Sequence, residues 1–284
     1  MSAPPRPSSG ASGDAGASGR QGFEAWAWFA FALGVATAGL LLFLGFRPGG
    51  VAPVLAYSWG LLLLGGVSAV ALTGALLWCV RRRPLLQRRR AIPLFVLGAC
   101  LWLCSLPIAY PSSHEGHPSA TVFRLPFEGA ARVRFGGDRR ATNPMLVDPS
   151  GRFGLCFEPD VGETLAVLAP AAGRLVEARD LPIGRRLVLE VAPGEFLVLT
   201  GLDPAGAEPS EGADVLEGAS LGRARSLYVH LQDGPRSGRS EGIPMRFRDY
   251  AWNGRQVEVG SPVPPQVVSR WRDEAAGPGA TPRR

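Results

Sequence analysis

The chain of 284 residues contains no lysine, and all 30 of its basic residues are arginine. A function that requires a cofactor attached to a lysine side chain is therefore excluded. Histidine is scarce, with three residues in all, and of four cysteines only Cys156 lies beyond position 104. A single thiol cannot form a disulfide within the C-terminal part of the chain.

Acidic residues are nearly absent from the first 110 positions, where Asp14 and Glu24 stand against nine arginines. The remaining 174 residues hold 21 arginines and 22 acidic residues. The formal net charge of +6 therefore arises entirely in the first third of the chain, which is also its hydrophobic third. A basic excess placed beside long apolar runs indicates a lipid bilayer, and we expect no nucleic-acid partner.

Three long runs without charge predict three transmembrane helices, at residues 25–46, 51–80 and 91–110 of a membrane domain that covers 23–110. Residues 1–22 are rich in Ser, Gly, Ala and Pro and are predicted to form a disordered tail. Spans that transport solutes often carry ionisable residues. Because these runs carry none, we interpret them as an anchor and not as a transporter or sensor.

The loop at 81–90 holds six arginines and predicts the orientation of the protein. Basic loops stay in the cytoplasm, so the N-terminus is expected inside and everything after Tyr110 outside. The alternative, three buried helices of a soluble protein, would require helices that are apolar on every side and a large protein shell around them. We therefore expect a multi-pass protein of the cytoplasmic membrane.

The remaining residues predict an all-β domain at 123–263, after a linker at 111–122 and before a C-terminal tail at 264–284. Short runs rich in Val, Leu and Phe are separated by Gly, Pro and Asp, which is typical of a sandwich or partly open barrel. The predicted strands are Arg132–Phe135, Leu165–Leu168, Arg174–Glu177, Arg186–Val191, Glu195–Thr200, Ser226–Leu231, Met245–Phe247 and Gln256–Val259.

Five segments occur in the order found in one family of enzymes. They are Leu125-Pro126-Phe127-Glu128-Gly129, the hairpin V-L-A-P-A-A-G-R-L-V at 167–176, the strand pair at 190–199, A-D-V-L-E-G-A-S-L-G at 213–222, and a fifth segment in two parts, 231–235 and 241–247. On these segments the chain resembles the M23 zinc metallopeptidases, the lysostaphin or LytM-type endopeptidases of bacterial cell walls. The resemblance implies a barrel-sandwich type of β-domain outside the bacterial cytoplasmic membrane.

The resemblance also implies positions for a catalytic zinc, which needs three protein ligands and an activated water. The first ligand histidine corresponds to Pro144 and Met145, and the ligand aspartate corresponds to Cys156. The accessory histidine corresponds to Gly201, and the His-x-His pair corresponds to Ser226 and Tyr228. None of these positions keeps the required residue, so we expect no catalytic residue, no metal ligand and no cofactor.

The leading hypothesis is a pseudoenzyme that binds peptidoglycan or regulates a cell-wall hydrolase such as an amidase. Its former cleft would remain as a groove lined by Cys156, Gly201, Ser226, Tyr228 and His230, the last three on one face of a strand. The alternative is an active zinc endopeptidase that cuts peptidoglycan cross-links. The hairpins at 169–173 and 214–222 also resemble biotinyl and lipoyl carriers, but the absence of lysine excludes that function.

A second group of possible ligands follows the third predicted span. His114, Glu115 and His117 have the spacing His-Glu-x-His, which differs from the His-Glu-x-x-His of zinc proteases. We interpret this group as a solvated juxtamembrane loop in preference to a metal site.

Overall fold

The structure is a computed structural model that describes residues 25–81, 88–137, 139–204 and 209–271. The predicted tail at 1–22, most of the arginine-rich loop and the end of the C-terminal tail therefore lie outside the described residues. In the described part, an N-terminal group of helices precedes a β-domain.

Helix α1 covers Ala25–Gly45. The next helix covers Val51–Arg81 without a break: α2 (Val51–Leu55) continues through a π-helical turn (Ala56–Gly60) into α3 (Leu61–Arg81). Both helices are long and apolar enough to cross a membrane. Large apolar side chains on both stay exposed, among them Val35 and Val70 at 73% and 76%, so an apolar surface is left for a partner other than the protein itself.

Helix α4 covers Arg88–Ser105, so it ends five residues before the end of the span predicted at 91–110. The apolar part of α4 is Arg90–Ser105, which is shorter than the two apolar helices Ala25–Gly45 and Val51–Arg81. The helix ends before Pro107, since a proline lacks the N–H that a helix needs and disfavours helical geometry in the residue before it. The prediction that the helix extends to Tyr110 was wrong.

Helix α4 packs against both other helices. A side chain added at Gly34 would touch Val96, and one added at Gly65 would touch Cys104, so small residues bring the helices close together. At one end the guanidinium of Arg90 lies 5.0 Å from the ring of Trp78. At the other end the Tyr57 hydroxyl donates a hydrogen bond to the Ile108 carbonyl (2.5 Å). Helix α4 therefore runs antiparallel to α3 between the two ends of the bundle.

The β-domain consists, among the described residues, of thirteen strands in one hydrogen-bonded sheet. The strands are β1 (Val122–Phe123), β2 (Ala130–Phe135), β3 (Leu155–Pro159), β4 (Leu165–Leu168), β5 (Gly173–Leu181), β6 (Gly184–Ala192), β7 (Glu195–Leu202), β8 (Asp214–Val215), β9 (Ser220–Gln232), β10 (Gly242–Ile243), β11 (Arg246–Trp252), β12 (Arg255–Gly260) and β13 (Val267–Arg270).

The sheet has the order β1-β11-β13-β2-β3-β9-β7-β6-β5-β8, with β4 and β10 on β9 and β12 on β11. All eight predicted strands are present. Strand β13 extends the domain to Arg270, into the segment that the sequence assigned to the tail, because it pairs with both β2 and β11. The long strand β9 pairs with four others, β3, β4, β7 and β10, and forms the centre of the domain.

One hydrophobic core fills the domain and contains residues from nearly every strand. Its largest side chains form a chain of ring contacts: Phe127 on Phe157 at 5.0 Å, and Phe157 on Phe247 at 6.4 Å. Residues 227, 229 and 231 of β9 point into this core, so residues 226, 228 and 230 lie on the opposite face of the strand.

The linker between α4 and β1 is fastened to the β-domain by a buried carboxyl group. Glu241, fully buried, accepts hydrogen bonds from the Tyr110 hydroxyl (2.7 Å) and from the Ser113 backbone N–H and hydroxyl (2.9 and 2.6 Å). The Ser112 hydroxyl donates to the Gly242 carbonyl. We call this network of Tyr110, Ser112, Ser113 and Glu241 the linker clasp.

Replacing Glu241 should show how much the linker clasp contributes. Glu241→Ala leaves buried donors without a partner, which costs about 2–5 kcal/mol of unfolding free energy, whereas Glu241→Gln keeps an acceptor and should cost less. Urea unfolding of the full-length protein in detergent measures both. Glu258→Ala, on the exposed strand β12, is the matched control and should change stability by less than about 0.5 kcal/mol. Equal effects of Glu241→Ala and the control would contradict this role of the clasp.

Candidate functional site

The positions that correspond to the metal site meet where β3, β7 and β9 lie side by side. In the register of the sheet, Cys156 of β3 and Thr200 of β7 both lie opposite Tyr228 of β9. The Cys156 sulfur and the Ser226 hydroxyl are 3.2 Å apart, and the rings of Tyr228 and His230 stack at 5.2 Å. The structure thus brings Cys156, Ser226, Tyr228 and His230 together on one face.

Gly201 lies in a bulge of β7, at the point where the register with β9 shifts. Its φ is +102°, a backbone conformation that favours glycine. A Cβ atom there would also run into the carbonyl oxygen of Ser226. The backbone at this position therefore leaves no room for the histidine that the family places here.

Pro144 and Met145 begin a short 3₁₀-helix, Pro144–Val147. Asn143 precedes this helix, and its side-chain oxygen accepts a hydrogen bond from the Met145 backbone N–H at 2.9 Å. The Asn143 amide group donates to the carbonyls of Gly137 and Arg152. The position of the first ligand histidine is therefore part of a well-bonded turn, in which Pro144 is exposed and Met145 half-buried.

The segment at 148–154, which we call the plug loop, packs against the ring of Tyr228. The Tyr228 hydroxyl donates a hydrogen bond to the Gly151 carbonyl at 2.8 Å. Side chains added at Gly151 or Gly154 would overlap that hydroxyl. The plug loop therefore covers the Tyr228 ring on the face of β9 that carries Ser226 and His230.

The plug loop is held in place by its own turns and by the linker side of the domain. Asp148 accepts hydrogen bonds from the backbone N–H and the hydroxyl of Ser150 (3.2 and 3.1 Å). The Pro149 carbonyl accepts from the Gly242 backbone N–H at 2.7 Å, directly beside Glu241. The loop is thus a packed part of the domain, fixed by the same segment that holds the linker clasp.

His230 is buried and neutral. Burial lowers its pKa to about 4, against smaller opposing effects of Asp148 and of the hydrogen bond to Gln232. Its Nε2 lies 3.2 Å from the Gln232 side-chain oxygen, which places the ring proton on Nε2. The other ring nitrogen, Nδ1, has no hydrogen-bond partner among the described residues. The unpaired Nδ1 of His230 is therefore one possible metal-ligand atom.

Cys156 and Tyr228 do not supply the missing ligands. Burial raises the pKa of the Cys156 thiol, and the hydrogen bond to Ser226 opposes this only in part, so the group remains a thiol and not the thiolate that binds metals. Burial likewise raises the pKa of Tyr228, whose hydroxyl is already used on Gly151. In the described part of the chain no three His, Cys, Asp or Glu side chains are grouped closely enough to hold a metal ion. The residues present do not fit a catalytic zinc.

The second group, His114, Glu115 and His117, is not the solvated loop that the sequence predicted. Glu115 forms ion pairs with Arg47 of the α1–α2 turn (2.9 Å) and with the buried Arg152 of the plug loop (3.0 Å). His114 lies 3.6 Å from Asp233, and this partner raises its pKa. Only His117 is exposed. These residues connect three parts of the structure and do not converge on one point.

Sequence reasoning missed the plug loop and Asp148, whose charge acts on His230. The available signal was the turn-forming run Asp-Pro-Ser-Gly at 148–151, between the two positions expected to hold ligands. It also missed Glu241, because nothing in a sequence marks an acidic residue near a strand end as buried.

Comparison with known proteins gives matches among solved structures alone: no protein-family model and no curated protein matches the chain. A chain of the SpoIIQ–SpoIIIAH pore-forming complex is 14% identical, with a TM-score of 0.34 over 44% of this chain and 89% of that one. A LytM-type glycyl-glycine endopeptidase from Ruminococcus gnavus is 12% identical, with a TM-score of 0.35 over 57% of this chain and 70% of that one. Pseudoalterin, an M23 metalloprotease from the deep sea, is 14% identical, with a TM-score of 0.34 over 51% of this chain and 99% of that one. At these identities the likenesses concern the fold and assign no activity.

The contact between the plug loop and Tyr228 can be tested by a double-mutant cycle. Gly154→Ala should reduce the free energy of unfolding by about 1–3 kcal/mol, because the added methyl group overlaps the Tyr228 ring. In a Tyr228→Ala background the same substitution should cost clearly less, since the ring is gone. Additive effects of Gly154→Ala and Tyr228→Ala would contradict the packing described here.

His230 should make stability depend on pH. Its pKa is about 4 in the folded protein and near 6.5 when unfolded, so the unfolded state binds more protons between these values. Stability due to neutral His230 is therefore present above pH 6.5 and is lost as the pH falls towards 4, by on the order of 3 kcal/mol. Urea unfolding of wild type and His230→Asn from pH 4 to 7.5 measures the difference. His117→Asn is the exposed control, and a wild-type profile parallel to that of His230→Asn would overturn the assignment.

Proposed function

We propose that the protein is a membrane-anchored, non-catalytic binding module whose M23-type β-domain lies outside the cytoplasmic membrane and engages peptidoglycan or a cell-wall hydrolase. The observation that carries this proposal is the filled cleft, in which Tyr228 and the plug loop occupy the space in front of the former ligand positions. A hydrolase needs that space for an activated water and a peptide carbonyl.

The anchor part of the proposal rests on charge and helix contacts. The α1–α2 turn meets the β-domain side through the Arg47–Glu115 ion pair, so this end of the bundle faces the β-domain. The opposite end carries Arg81 and Arg90, the described ends of the arginine-rich loop. Basic residues favour the cytoplasmic side, which supports a β-domain outside the membrane.

Helix α4 serves as a third crossing in this proposal. Its 18 residues span about 27 Å, close to the thickness of the hydrocarbon layer. It runs from Trp78 at the cytoplasmic end of α3 to Tyr57 at the outer end. Since it lies antiparallel to α3 and packs against both other helices, we assign it to the bilayer.

A cleft of about 360 Å³ beside the plug loop offers a place for a ligand. It is lined by apolar side chains, among them Phe153, Leu155 and Met245, and by the guanidinium group of Arg246. Arg246 donates one hydrogen bond to the Ser119 carbonyl and leaves its Nε without a partner among the described residues. Glu115 also lines the cleft, but its carboxylate is ion-paired with Arg47 and Arg152. A largely apolar cleft with the guanidinium group of Arg246 in its wall suits a short peptide that ends in, or carries, a carboxylate.

The absence of catalysis is tested with full-length protein purified in detergent and supplied with zinc. We expect less than one equivalent of zinc per chain by plasma mass spectrometry, and no release of fragments from purified peptidoglycan, because the site lacks a ligand set. Stoichiometric zinc that disappears in Cys156→Ser or His230→Asn, together with hydrolysis, would establish the alternative of an active endopeptidase.

The same preparation tests the binding half of the proposal by sedimentation with cell-wall sacculi. Arg246→Gln should reduce the bound fraction, whereas Arg255→Gln, an exposed arginine opposite Trp252 at the other end of the β11–β12 pair, should leave it unchanged. Absence of wild-type binding to sacculi would leave a hydrolase as the proposed partner, and capture of a purified amidase is then the deciding measurement. Failure of both would refute the proposed function.

A further inference from the structure

Three carboxylates of the β-domain hold the linker between α4 and β1. Glu241 is the acceptor of the linker clasp. Glu195, the first residue of β7, accepts a hydrogen bond from the Ser119 hydroxyl at 2.7 Å. Asp233, directly after β9, has its Oδ2 atom 3.6 Å from the Nε2 atom of His114. The linker is therefore attached to acidic groups at three successive points.

The three carboxylates form one electrostatic cluster around His114. The Oδ1 atom of Asp233 accepts a hydrogen bond from the Glu241 backbone N–H at 2.7 Å, so these two residues are neighbours. The charges of Asp233, Glu241 and Glu195 all act on His114. Among the described residues, the other linker groups that contact these carboxylates are neutral hydroxyl and backbone N–H groups. In the linker, His114 is thus the group that can bring a positive charge to this cluster.

Two arginines in the same region are engaged elsewhere. Arg152, whose charge acts on Tyr110, is ion-paired with Glu115 at 3.0 Å. Arg246 donates a hydrogen bond to the Ser119 carbonyl at 3.3 Å. In the part of the chain that the structure describes, neither arginine forms an ion pair with any of the three carboxylates. Compensation of the acidic cluster therefore depends on His114.

We propose that His114 makes the attachment of the linker to the β-domain depend on pH: in its protonated form it closes the linker clasp, and in its neutral form it leaves three carboxylates without a counter-charge and loosens the clasp. The side chains of His114 and Asp233 are 31% and 27% exposed, so protons reach them from solvent without unfolding. Because Gly242, next to Glu241, donates its backbone N–H to Pro149, loosening extends to the plug loop. This pH switch is independent of what the β-domain binds.

The direction of the effect follows from the pKa of His114. The contact with Asp233 is the main cause that raises this pKa above its ordinary value of 6.5; burial opposes the increase, and the charges of Glu241 and Glu195 add to it. A group with a raised pKa contributes its full stabilisation below its ordinary pKa and loses it as the pH rises through the raised value. The linker should therefore loosen on the alkaline side, opposite to the effect of His230.

The test measures hydrogen–deuterium exchange of the full-length protein in detergent between about pH 6 and pH 9. Rates are converted to protection factors, which removes the intrinsic pH dependence of exchange. The reporters are the hydrogen-bonded amides of Tyr110, Ser113 and Gly242. In wild type their protection factors should fall about fivefold as the pH rises, the effect of losing one partly exposed ion pair. His114→Gln should give the low values at every pH, and His114→Arg should keep the high values throughout.

A second variant distinguishes titration of His114 from a purely structural role. Asp233→Asn keeps the acceptor for the Glu241 backbone N–H but removes the charge, so the midpoint of the transition should move to lower pH. His117→Gln, at the exposed histidine of the same segment, should keep the wild-type profile. Protection factors that stay constant with pH in wild type, or a wild-type profile in His114→Gln, would overturn the proposal. Loss of sacculus and amidase binding with an intact pH profile would refute the proposed function alone.

Discussion

The buried carboxyl group of Glu241 is the interaction on which the arrangement of the whole protein depends. It takes hydrogen bonds from Tyr110 and Ser113, which follow α4, while the next residue, Gly242, donates its backbone N–H to the plug loop. A buried polar group is tolerated only when its hydrogen bonds are made, so this carboxyl group requires the linker to stay in place. One residue, directly before β10, thereby connects the helices, the linker and the plug loop.

The linker also contacts the plug loop and the residues just before it. Tyr110 also donates its backbone N–H to the carbonyl of Leu146, just before the plug loop. Glu115 pairs with Arg152 inside the loop. The loop that fills the cleft is thus bonded on one side to Tyr228 and on the other to the linker that leads to the membrane. Opening the cleft would break both sets of contacts, so the closed form follows from the anchoring itself.

Much of the fold can be predicted from this sequence, because its hydrophobic pattern is regular. The eight predicted strands alternate or carry compact apolar runs, and all of them are found. Strand β3 was missed, since its buried residues Leu155, Cys156 and Phe157 follow one another without alternation. Strand β13 was missed because it follows two prolines and is defined by its neighbours β2 and β11. The end of α4 was predicted too late, although Pro107 marks it.

From the sequence, the site could be predicted only as a set of positions that lack the zinc ligands of the family that the chain resembles. Spacing along β9 places residues 226, 228 and 230 on one face, which is a local property of a strand. The packing around that face is not local: the Tyr228 hydroxyl reaches Gly151, 77 positions earlier in the chain. The neutral state of His230 depends in turn on burial. The contact of Tyr228 with Gly151 and Gly154 needs two residues without side chains in the plug loop, because a Cβ atom at either would overlap the Tyr228 hydroxyl. Such a contact joins segments far apart in the chain, so the pattern of residues along β9 alone does not reveal it.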